Sequence, residues 1–117
     1  TAADGREVVL PADIPFDSQA DLVLAEDTAW TGIAIMNNER ANRSVEVHAL
    51  DANGNELASA TVFLGPLYRN AWLLETLFPE TDRNLISRVR MSADGSFAAV
   101  AIWEDGTGAL GTAVPVS

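Results

Sequence analysis

From Trp30 to Trp103 the sequence keeps one rhythm: short runs of alternating apolar and polar residues, broken by turn formers. The runs are Thr31 to Asn37, Ser44 to Leu50, Leu57 to Leu64, and Ile86 to Trp103, the last interrupted by Ala93-Asp-Gly-Ser96. A period of two marks a strand with one buried face, because successive side chains point to opposite sides. Strands this short, spaced by turns, predict an all-β chain: an antiparallel β-sandwich of about seven to nine strands.

Inside that frame the faces can be assigned. Ile33 and Ile35 share one face and Ala34 and Met36 the other; two apolar faces predict a central strand. Val45, Val47 and Ala49 point inward, whereas Ser44, Glu46 and His48 point outward. Asp51-Ala-Asn-Gly-Asn55 follows, and Asn-Gly is a strong hairpin signal, so Leu57 to Leu64 is expected to return antiparallel beside Ser44 to Leu50. Asn37 to Asn42 is polar and long enough for a crossover or a wide hairpin. Leu67 to Trp72 reads as a short strand. Leu73 to Phe78 has helical spacing and is stopped by Pro79; this one short helix, near residues 73–78, is expected to plug the core with Leu74, Leu77 and Phe78. Asn84 to Met91 and Phe97 to Glu104 read as a hairpin turning at Asp94-Gly95, and Leu110 to Val116 as a last strand. Towards the start, Glu7 to Leu10 and Asp21 to Ala25 read as strands. Pro11 and Pro15 restrict the segment between them to an extended or edge path, since proline cannot donate to a ladder.

The chain has 117 residues and 48% of them are apolar, which suits one domain with a real core. It has no cysteine, so disulfides, thiol catalysis and thiolate metal sites are excluded together. Its net charge is −10, which argues against nucleic acid and against anionic lipid as partners. All seven basic residues are arginine. A GC-rich genome and a salty habitat both lead to that bias. No apolar run approaches the ~18 residues of a membrane span, so no membrane insertion is expected. Because the chain begins at Thr1 and not at methionine, a processed protein or a piece of a longer one is expected.

The order of these features resembles immunoglobulin-like β-sandwich modules of large secreted or surface proteins of environmental bacteria. The residues that carry the resemblance are Trp30-Thr-Gly-Ile-Ala-Ile-Met-Asn37, the turn Leu50-Asp-Ala-Asn-Gly-Asn-Glu56, Gly65-Pro66, Leu77-Phe-Pro79, Arg88-Val-Arg-Met-Ser92 and Ala98 to Trp103. The resemblance covers about residues 30 to 115. It implies a non-catalytic extracellular module, secreted or at the cell surface, and it brings no catalytic residues.

The residues that bear chemistry mostly have plain structural readings. His48 is the one histidine, and Ser44 and Glu46 lie in a row with it along a strand; a row is not a convergent triad. Asp51, Asn53, Asn55 and Glu56 space oxygens like the start of a calcium loop. The sixth position holds Glu56 where an EF-hand needs glycine, so a hairpin turn is expected and no metal or other cofactor. Glu104 and Asp105 beside Gly106 read the same way. Among the carboxylates only Glu75, beside Trp72 and Leu74, has an apolar context. Trp30 and Trp103 are expected in the core. Trp72 and Tyr68 flank the proline turn and are the candidate ligand-binding aromatics, suited to stacking on a polysaccharide. For assembly with protein partners, self or a neighbouring module, the candidates are the extended ends: Glu7, Val8, Val9 and Leu10 within residues 1–16, and Leu110, Val114 and Val116. Such strands can be lent to a neighbour's open edge. A non-catalytic structural or adhesive module is therefore expected, with a carbohydrate-binding module as the alternative.

Overall fold

The computed structural model describes residues 17–115. Seven strands carry the fold: β1 (Asp17–Val23), β2 (Trp30–Met36), β3 (Arg43–Leu50), β4 (Glu56–Leu64), β5 (Arg69–Leu73), β6 (Arg88–Glu104) and β7 (Leu110–Ala113). A single helical turn, α1 (Leu74–Leu77), and a 3-10 turn (Arg83–Leu85) lie between β5 and β6. All the pairings are antiparallel. The described residues are thus all-β with one small helix.

β6 is the spine. Its first half pairs with β1 on one side and β3 on the other; its second half pairs with β2 and β7. β4 continues outward from β3, and β5 from β2, giving the path β4-β3-β6-β2-β5. β2 and β3 are consecutive in sequence but flank β6, so residues 37–42 form a crossover. The inward side chains of both halves meet in one core: Leu22 from β1, Ile33 and Ile35 from β2, Val45 and Val47 from β3, Leu64 from β4, and Val89, Met91, Phe97 and Ala101 from β6. Each fully buried aliphatic or aromatic side chain of this kind contributes roughly 1.5–3 kcal/mol. Leu74, Leu77 and Phe78 of the α1 segment join that core, and Phe78 N–H donates back to Leu74 O at 2.8 Å. Ala34, Ala98 and Val100 form a second buried cluster on the opposite face, with Met36 and Ile102 against it. β2 is therefore apolar on both faces, as its alternation predicts.

The expected hairpin at Asp94-Gly95 is corrected by the structure: residues 88–104 are one unbroken strand of 17 residues. An Asp-Gly hairpin of the favoured type needs φ > 0 at glycine. Positive φ among the described glycines occurs at Gly54, Gly106 and Gly108, not at Gly95. Gly95 serves close packing instead: a Cβ there would lie 2.4 Å from the Arg43 guanidinium carbon. The β1 register jumps from Asp17 opposite Phe97 to Gln19 opposite Ser92, so the extra β6 residues are taken up as a bulge. The first half of that expected hairpin also begins later, because Arg83–Leu85 is a 3-10 turn and β6 starts at Arg88. The expected strands at Glu7 to Leu10 and at Val116 lie outside the described residues.

Candidate functional site

Four strands have one neighbour each among the described residues and so present edges: β1, β4, β5 and β7. Their chemistry differs. β1 carries Asp17 and Asp21, and β5 begins with Arg69; β7 has only four residues. β4 has nine residues, and after Glu56 it reads Leu-Ala-Ser-Ala-Thr-Val-Phe-Leu without a charge or a proline. Val62 and Leu64 are buried, whereas Leu57, Ser59, Thr61 and Phe63 face out; Phe63 is 75% exposed and Leu57 36%. Natural edges are usually blunted with charge, proline or a bulge. Here the one register irregularity, opposite Ala49 and Leu50, falls at Leu57 and leaves 58–64 regular. Sequence reasoning treated Leu57 to Leu64 as an ordinary strand. The run without charge extends from Leu57 to Tyr68, but Thr28 to Asn38 is uncharged as well, so absence of charge alone does not mark an edge in the sequence.

Behind this edge the outer face is charge-paired. His48 Nδ1 meets Glu56 Oε1 across β3 and β4. Asp21 sits between Arg88 and Arg90, at 3.2 and 3.5 Å. His48 is thus a half-buried cross-strand partner of Glu56, while Ser44 and Glu46 remain in line with it along β3.

A second polar cluster holds the crossover to β6. Arg43 is only 7% exposed; its Nη2 pairs with Glu39 Oε1 and its Nη1 donates to Asp94 Oδ1 at 3.0 Å. Glu39 Oε1 also accepts from Ser96 N–H at 3.2 Å and Ser96 Oγ at 3.1 Å. Buried Asn37 donates through Nδ2 to Ala41 O and Gly65 O, at 2.8 and 3.0 Å, and its Oδ1 accepts from Glu39 N–H. Together these contacts tie the crossover to β3, to β6 and to the turn at Gly65, which makes the cluster a clamp. The nearby turn Gly65-Pro66-Leu67-Tyr68 is closed by Tyr68 N–H to Gly65 O, and Leu67 is held at φ 56°.

The remaining candidates are placed as follows. Asp51 Oδ1 accepts from the N–H groups of Asn53 and Asn55, both at 2.9 Å, and Asn55 Nδ2 reaches Oδ2 at 3.3 Å. The Asn55 amide, more than any other contact, holds the Asp51 carboxyl below its ordinary value. This carboxylate is engaged by its own turn, with Gly54 at φ 86° closing it. Asp105 does the same work with Thr107, whose hydroxyl and amide lower its pKa. Glu75 is exposed. Trp72 is half-buried and packs against the main core, whereas Tyr68 is 56% exposed. Trp30 and Trp103 are half-buried, not enclosed: the Trp30 indole donates to Glu104 Oε2 at 3.0 Å, and the Trp103 ring lies over Gly111. Leu110 opens β7 and Val114 is 46% exposed just beyond it. Glu7, Val8, Val9, Leu10 and Val116 lie outside the described residues.

One open cavity of about 500 Å³ lies beside the β1–β2 connection, lined by Glu26, Asp51, Arg83 and Arg88 among others. Arg83 donates to Ala25 O, Ile86 O and Thr31 Oγ1 at 2.9–3.0 Å. Burial pushes its guanidinium pKa down, and the nearby Glu75 charge opposes that. The side chain braces three segments. Its Nη donors are aimed at protein oxygens, whereas the buried Nε has no hydrogen-bond partner among the described residues.

No protein-family model matches the chain, and no curated protein matches it. Its fold is similar to that of the crystal structure of Thermotoga maritima 1070, with a TM-score of 0.67 at 9% identity. The match covers 85% of this chain and 92% of that one. At that identity the likeness carries the fold alone.

Proposed function

We propose that this chain is a non-catalytic, extracellular β-sandwich module of the immunoglobulin-like type. It acts through protein–protein contacts and repeats as a subunit of a surface assembly. The observation that carries the reading is the β4 edge: nine residues long, uncharged from Leu57 to Leu64, and bearing Phe63 at 75% exposure. A chain of net charge −10 repels its own copies. An uncharged strand edge is where such a chain can be approached at the lowest electrostatic cost. Unpaired strand edges offer main-chain donors and acceptors, and alternate side chains supply selectivity. The extracellular placement follows from the resemblance of the strand-and-turn order to secreted modules.

Light scattering over a range of protein and salt concentrations tests the reading. Association that grows with concentration, and grows further as salt screens the charge, is the expected result. A strict monomer under every condition would contradict self-assembly through protein contacts.

A further inference from the structure

We propose that two copies of this chain pair through β4, antiparallel and edge to edge, about a two-fold axis beside Ala60. The inference rests on the protein-contact reading above and names its surface and its partner. Three observations lead to it. β4 is the longest of the four edges. It is uncharged over 57–64, so pairing sets no like charges opposite one another. And its sequence is self-complementary about its centre.

In this register Ala60 faces Ala60 of the second copy, and Ala58 faces Val62 on the inner side. On the outer side Ser59 faces Thr61, a hydroxyl pair of the kind that stabilises cross-strand contacts. Beyond the regular pairing of 58–62, the bulged Leu57 of one copy comes beside Phe63 of the other at each end, so the exposed apolar side chains of the two copies cover one another. The Glu56 residues fall opposite Leu64, at opposite ends of the interface and about as far apart as the strand allows. An interface in which the same patch serves both partners closes at the dimer, so β4 pairing supplies one contact of an assembly and further growth would use other surfaces. Nine residues span roughly 30 Å, so the paired β4 strands would make one continuous sheet across both molecules.

The chain has no cysteine, so a single introduced thiol reports one position cleanly. Ala60→Cys is expected to form a disulfide-linked dimer under mild oxidation, whereas Ser18→Cys on β1 is not. Thr61→Lys is expected to weaken association about tenfold or more, by setting two ammonium groups at the centre of the pairing. Thr61 is exposed and lies opposite Glu46 on β3, so the lysine is accommodated within its own copy. Association that is unchanged in Thr61→Lys, with no bridge at position 60, overturns the β4 dimer and leaves the protein-contact reading standing. A monomer at all concentrations and salt levels overturns both.

Discussion

Three positions show how much a single residue decides. Leu67 adopts φ 56° with its side chain 58% exposed, so its conformation is set by the turn and little packing compensates it. A turn with proline at the first inner position and positive φ at the second favours glycine or asparagine there. Leu67→Asn is expected to stabilise the fold by about 1 kcal/mol, read as a higher melting temperature. Gly111 acts in the opposite sense. A Cβ at that position would lie 2.6 Å from two carbons of the Trp103 ring, and a ring cannot yield as a flexible chain end does. Gly111→Ala is expected to cost about 1–3 kcal/mol and to shift tryptophan fluorescence as the ring is displaced. Phe63 is exposed enough that Phe63→Ser is expected to change stability by no more than about 0.5 kcal/mol while weakening self-association. A variant that unfolds would show instead that Phe63 is needed for its own fold.

At the scale of elements, β6 joins the two halves of the sheet. Met91 and Phe97, at 0% and 1% exposure, pack on opposite sides of its bulge within one core. The halves are therefore expected to unfold as one cooperative unit, with amides of 88–92 and 98–104 sharing one exchange free energy. Separate free energies would show that the bulge divides the domain. The turns answer to acid. Asp51 and Asp105 both have carboxyls lowered below the ordinary value of 3.8, by amide bonds and by the Thr107 hydroxyl respectively. Their support is present above that value and is lost as pH falls from 3.8 through the lowered native values. Asn at both positions keeps an acceptor but cannot titrate, so the double variant is expected to show a shallower acid limb in melting temperature. Strands, their inward faces and α1 were legible because alternation and Pro79 act locally. The continuity of β6 was not legible. Asp94-Gly95 reads as a turn until Arg43, 52 positions before Gly95 in the chain, is known to occupy the space where a Cβ would stand. The Arg43–Glu39–Asp94 clamp was illegible for the same reason, since its members meet only through the crossover.

For the whole molecule, charge and edge chemistry act together. A net charge of −10 disfavours contact between copies at low salt, and at physiological ionic strength the repulsion is screened beyond about 8 Å and persists only at closer range. Contact between copies is therefore expected at surface without charge of its own, and of the two uncharged edges described, β4 from Leu57 on and β7, β4 is the longer. The most direct test is amide hydrogen exchange, resolved by residue, at low and high protein concentration. The account predicts that alternate amides of residues 57–63 slow as the protein associates, while those of β1, β5 and β7 stay unchanged. Association with no change in β4 exchange would contradict it.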